Sequence, residues 1–91
     1  MLIKKSEASR FDLDEIKRGT LIWAQHESWF SPEMGYVTDA SEDQLVVQYP
    51  PTTRNVTSHF FVPASEVAAG QWTIRYSNDL LTISKYPEET A

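Results

Sequence analysis

The sequence predicts a mainly β protein, a small barrel of five to six antiparallel strands with one or two short helical turns, and three observations carry that expectation. The first is a hairpin signature. Two β-rich runs, residues 35–40 and 45–49, are joined by Ser41-Glu42-Asp43-Gln44, whose short oxygen-bearing side chains favour a turn. The second is that further short β-favouring runs recur along the chain with Gly, Pro, Ser, Asn or Asp between them, which is the pattern of a sandwich or barrel. The third is size. A chain of 91 residues builds one core, and closing the sheet hides edges that an open one exposes.

Taken in order, residues 1–10 read as a polar lead or short edge strand, with only Leu2 and Ile3 apolar after the first residue. Asp12-Leu-Asp-Glu-Ile-Lys-Arg-Gly19 reads as one or two helical turns. Asp12 is placed to cap, Glu15 to complete a capping box, Leu13 and Ile16 to share a face, and Gly19 to take a left-handed stop. Residues 20–26 form the first clear strand. Its alternation leaves two registers open, one with Ile22 and Ala24 inward and one with Leu21 and Trp23 inward. The loop 27–34 holds Trp29, Phe30 and Pro32. In the hairpin Val37, Leu45, Val47 and Tyr49 suit the inner face, while Asp39 and Gln48 face water. Pro50 and Pro51 end it, because proline cannot donate to a ladder. Residues 56–62 are the next strand, with Phe60 and Val62 on one side and His59 and Phe61 on the other. Residues 63–70 form a helical turn stopped by Gly70. In residues 71–77 Trp72, Ile74 and Tyr76 alternate with Thr73 and Arg75. Residues 78 and 79 turn into a last strand over 80–86, and 87–91 form an acidic tail. The whole is expected to be one domain, 1–91, with its barrel over 11–86.

Composition excludes several classes of function. The formal net charge of −5 opposes phosphate backbones and anionic membrane surfaces. The absence of cysteine removes disulfide and thiolate chemistry and fits a reducing cytoplasm. Met1-Leu-Ile-Lys-Lys lacks the charge order of a signal peptide, and no apolar run reaches the ~20 residues of a membrane span. A soluble, cytoplasmic protein is the expectation. Without a leader, the glycosylation triplet Asn55-Val-Thr57 reads as coincidence.

Several stretches carry a family likeness. Gly19-Thr-Leu-Ile-Trp-Ala-Gln25 resembles the opening strand of PWWP and Tudor-type domains, where Gly-Asp-Leu-Val-Trp-Ala is common. Gly35-Tyr-Val37 and residues 45–49 resemble the two strands that follow. Val62-Pro-Ala-Ser-Glu-Val67 is similar to the helical turn before the last strand of an SH3-like barrel. The likeness spans most of residues 19–77 and implies an SH3-like small barrel, also similar to small bacterial barrel proteins of unknown function. The chain departs from PWWP domains in three ways. Trp29-Phe-Ser-Pro32 only loosely echoes their signature, their basic surface is absent, and residues 80–86 add a strand.

Catalytic and metal chemistry find little footing. His26 with Glu27, and His59 with Glu66, are the histidine–carboxylate pairs to consider, but no His-Glu-x-x-His or comparable ligand spacing is present. Ser65 lies six positions after His59 without a Gly-x-Ser-x-Gly elbow and reads as the cap of the turn near Pro63. The isolated glycines offer no phosphate cradle. Asp12/Asp14 and Glu42/Asp43 sit where helix starts and turns already use carboxylates. No enzyme activity, cofactor or metal is expected.

The aromatic residues carry the functional reading. Trp23, Trp29, Phe30, Tyr36, Phe61, Trp72 and Tyr76 exceed what so narrow an interior holds. They can seal the barrel's ends, form a partner or self-association surface, or cage a methylated lysine or other cation. The expectation is a non-catalytic interaction module. A protein or peptide docks on Trp29, Phe30 and Tyr36, with Trp23 joining if its strand faces outward. Glu33, Asp39, Glu42 and Asp43 bias the surface toward a basic partner, and the module is also expected to be able to self-associate as a homo-oligomer through its aromatics. The runner-up is nucleic-acid binding by aromatic stacking, for which Lys17, Arg18, Arg54 and Arg75 must converge.

Overall fold

The computed structural model describes residues 2–4, 9–49 and 58–87. Six strands and one helix follow in order: β1 (Leu21–His26), β2 (Glu33–Ala40), β3 (Gln44–Gln48), β4 (His59–Pro63), α1 (Ala64–Ala68), β5 (Trp72–Ser77) and β6 (Ser84–Tyr86). The strands form one antiparallel sheet in the order β4-β3-β2-β1-β5-β6. The molecule is thus mainly β, as the turn-punctuated pattern predicts.

The sheet is open in its ladders but strongly curled. Phe60 of β4 and Trp72 of β5 have three strands between them, so four strand spacings would set them about 19 Å apart on a flat sheet. Their ring centroids are 6.2 Å apart and the rings are within 10° of parallel. The sheet therefore rolls until these two strands face each other. Among the described residues no ladder joins β4 to β5 or β6, which corrects the expectation of edge removal by strand pairing. Side chains and the short connection through α1 close the gap instead.

The core lies inside this curl. Ile22 and Ala24 of β1, Val37 of β2, Leu45 and Val47 of β3, Phe60 and Val62 of β4 and Trp72, Ile74 and Tyr76 of β5 are all buried. That settles the register of β1, and Trp23 lies on the outer face, half-buried. Tyr49 packs against the core only partly. At Gly35 β2 lies close against β3. A methyl group there would lie 2.3 Å from the Gln48 carbonyl oxygen and 2.9 Å from Val47 Cγ1.

The start of the chain is more than a polar lead. Leu2 and Ile3 are buried with Phe11 and Ile16 in the same core cluster, and Ile3 bridges Phe11. Lys4 Nζ donates to Glu42 Oε2 at 2.6 Å and Arg10 Nη1 to Asp43 Oδ1 at 2.8 Å, which ties this segment to the hairpin turn. Residues 12–19 are consecutive turns with no helix. Asp12 Oδ1 accepts the amide of Asp14 at 3.0 Å, Glu15 Oε2 accepts the Tyr76 hydroxyl at 3.2 Å, and Leu13 stays exposed while Ile16 is buried. A stretch this short gains too few intrahelical bonds to offset nucleation, and tertiary partners take its polar groups. Gly19, at φ 93°, and Gly70, at φ 82°, do occupy the left-handed region expected of helix and turn stops.

Three other expectations change. Ser65 is not a cap: Pro63 is the N-cap of α1, and it makes no side-chain capping bond. The last strand is only Ser84–Tyr86, because the Asp79 carboxylate accepts the amides of Leu81 and Thr82, each at 2.8 Å, and bends residues 79–82 into a turn. The strand expected from residue 56 begins at His59 in the described residues. Positions 56 and 57, the Pro50-Pro51 stop, Arg54, the Asn55 triplet and the tail 88–91 lie outside them.

Candidate partner-binding surface

The residues proposed from sequence to meet a partner divide into three places. Trp29, Phe30 and Glu33 come together. With Ser28, Ser31 and Tyr49 they line a shallow recess of about 430 Å³ at the start of β2. Trp23 and Tyr36 stand on the outer face of the sheet, where Trp23 is opposite Met34 and Tyr36 opposite Leu21. Asp39, Glu42 and Asp43 belong to the far end of the hairpin. Six residues of extended chain separate Glu33 from Asp39, roughly 20 Å. Two of the three hairpin acids are also engaged, Glu42 with Lys4 and Asp43 with Arg10. The hydrogen bond from Lys4, and then its charge, hold the Glu42 carboxyl below its ordinary range. The hairpin acids therefore lie away from the Trp29–Phe30 recess, and Asp39 instead pairs with Val46, whose partner on the other side is Phe61. Glu33 is the carboxylate that accompanies the rings.

Within the recess the rings differ in kind. Trp29 is a packing residue with one face showing. Its indole meets Phe60 at 5.4 Å and Trp72 at 5.1 Å, both edge to face. Its backbone is held by the Gln25 side chain, which donates to the Trp29 carbonyl at 3.1 Å. Phe30, next in sequence, is fully exposed, with a relative accessibility of 106%. Tyr49 packs its ring on Phe60 at 5.1 Å. Burial, and then the Glu33 carboxylate, push the Tyr49 phenol up from its ordinary value, so it is a neutral hydroxyl near neutral pH. The recess thus offers π faces, a hydroxyl and one negative charge.

The histidines pair differently from the sequence expectation. His26 faces Glu66 rather than Glu27, at 3.8 Å, and Glu66 Oε1 already accepts the Trp72 indole N–H at 2.9 Å. His26 Nδ1 accepts the Ser28 amide at 3.2 Å and lies 2.8 Å from the Ser28 hydroxyl, so its other nitrogen carries the proton facing Glu66. His59 stacks edge-on against Phe61 at 5.2 Å. Among the described residues no cluster of three or more His, Cys, Asp or Glu is placed to hold a metal ion, and no helix is long and apolar enough to cross a membrane.

The outer face was the part of the surface that sequence reasoning treated least. Met34, Tyr36 and Phe61 are 42%, 38% and 51% exposed there, where an antiparallel sheet ordinarily shows polar residues to water. The signal was available in the alternation of 34–36 and 59–61, once the inner face was assigned to Val37, Phe60 and Val62.

A family model described as a domain of unknown function, DUF5026, matches residues 2–83. The chain belongs to the DUF5026 family. The match takes in Leu2 and Ile3 at one end and Ile83 at the other, so the buried start of the chain and the Asp79 turn are both inside the DUF5026 region. No curated protein and no solved structure matches this DUF5026 chain.

Proposed function

We propose that the protein is a non-catalytic interaction module that receives a cationic group of a protein or peptide partner in the Trp29–Phe30–Tyr49 recess, with Glu33 supplying the countercharge. The observation that carries this reading is Phe30. A phenyl ring kept wholly in water beside two other rings and a carboxylate has no packing role to explain it. Aromatic faces attract ammonium and guanidinium groups by about 0.5–2 kcal/mol each, more when water is excluded. The SH3-like likeness is supported by the strand order around β1, which has β2 on one side and β5 on the other, and by the helical turn between β4 and β5.

The test is a titration with a short peptide carrying trimethyllysine, against the same peptide with neutral acetyl-lysine. The cationic peptide is expected to bind. Phe30→Ala and Glu33→Gln should each weaken binding by about fivefold or more, and Phe30→Ala should leave stability within about 0.5 kcal/mol of wild type. Trp29→Ala should lower stability by about 2–4 kcal/mol, because its ring packs against the core. Equal binding of the neutral peptide, or undiminished binding by Phe30→Ala, would overturn the proposal.

A further inference from the structure

On the outer face, across the 27–32 loop from the recess, lies a second concavity of about 430 Å³ lined by Trp23, Gln25, Pro32, Thr73, Arg75 and Ile83. Its volume falls in the range of small-molecule sites. We infer that this groove binds a small carboxylate with a flat apolar body, whose carboxylate meets Arg75 and whose body lies against Trp23, Pro32 and Ile83. This site is separate from the recess and does not depend on the function proposed for it.

Charge argues first. In a chain of formal charge −5, the outer-facing positions around the groove carry no acid: Leu21, Trp23 and Gln25 on β1, Met34 and Tyr36 on β2, Thr73 and Arg75 on β5. Lys85 of β6 stands directly across from Arg75. Lys4 and Arg10 are matched to Glu42 and Asp43, whereas Arg75 makes no ion pair among the described residues. Asp79 Oδ1 faces its own turn, where it accepts the amides of Leu81 and Thr82 and the Ser77 hydroxyl. A guanidinium fork with apolar surroundings suits a carboxylate, which it can meet through two parallel hydrogen bonds.

Shape argues second. Trp23 and Arg75 are direct cross-strand neighbours, and both side chains line the groove. Thr73 lies two residues from Arg75 on the same face and offers a hydroxyl donor. The groove's walls come from fixed elements. The Gln25 amide is anchored on the Trp29 carbonyl, and the Asp79 turn brings Ile83 over the far side.

The probe is naphthalene-2-carboxylate, followed by amide and indole shifts in two-dimensional NMR, with naphthalene-2-carboxamide as the uncharged match. The carboxylate should shift the Trp23 indole N–H and the amides of Thr73, Arg75 and Ile83, and should bind about tenfold or more tighter than the carboxamide. Arg75→Gln should reduce the carboxylate to the carboxamide's affinity with the spectrum otherwise retained, and Arg75→Lys should restore part of the difference. Phe30→Ala should leave this binding unchanged. The inference fails if neither compound binds, if both bind alike, if Arg75→Gln keeps wild-type affinity, or if the shifts centre on Trp29 and Tyr49.

Discussion

Gly35 shows how one atom sets the register of this fold. The hairpin signature in residues 35–49 makes a turn at Ser41–Gln44 readable, because turn chemistry is local. Nothing local says that β2 must touch the Gln48 carbonyl at Gly35. A methyl group 2.3 Å from that oxygen has to displace backbone, since Val47 blocks the other side. Gly35→Ala should therefore cost about 1–3 kcal/mol or more by overpacking, read as a lower midpoint in urea unfolding with an unchanged slope. A midpoint within error of wild type would show that β2 and β3 part easily there. The same limit applies to Trp29 and Phe30. They are neighbours in a loop with no periodicity, so composition marks both as surplus. Which one packs depends on the positions of Phe60 and Trp72, thirty or more residues away in sequence.

At the scale of elements, strands with a buried face were legible and irregular segments were not. Alternation fixes Trp72, Ile74 and Tyr76 inward because period two leaves no other choice once one residue is buried. Residues 80–86 look like a strand by the same criterion, yet Asp79 captures their amides first. Its carboxyl is held below its ordinary value of 3.8 by the amide of Thr82, then that of Leu81. The sign follows from linkage. A carboxyl with a depressed folded pKa adds stability above the unfolded value, and that contribution is lost as pH falls through the folded one. The turn should hold at pH 7 and loosen below pH 3.8, with the loss completed at lower pH. The protection of the Leu81 and Thr82 amides, taken as exchange relative to the intrinsic rate at each pH, should then fall on acidification, while that of Val37 and Val47 stays high. Asp79→Ala should produce fast exchange at those two amides already at pH 7. Slow exchange at Leu81 and Thr82 in that variant would mean that something other than the carboxylate holds the turn.

At the scale of the whole molecule, the sequence supports a small rolled β structure but not the manner of its closure. Expecting a cylinder follows from the cost of exposed edges. The actual solution leaves the ladders open and faces β4 toward β5 through rings. Phe60 stacks on Trp72, Trp29 sits edge-on to both, and Tyr49 backs Phe60. A seam made of side chains differs physically from one made of hydrogen bonds, because it has no repeating partner that could re-form one residue along. Its strength rests on a few contacts, and Phe60 takes part in three of them. Phe60→Ala should cost about 3–4 kcal/mol, near the usual value for a phenyl ring lost from a packed interior. It should also move tryptophan emission to longer wavelength, as Trp29 and Trp72 both lose a covering ring. The β1–β2 and β1–β5 ladders do not use Phe60, so their amides should keep their protection under conditions where the variant remains folded. If the variant instead loses little stability and its emission does not move, α1 and the 2–4 segment hold the curl without the rings. The recess at Trp29 would then have to be explained independently of the seam.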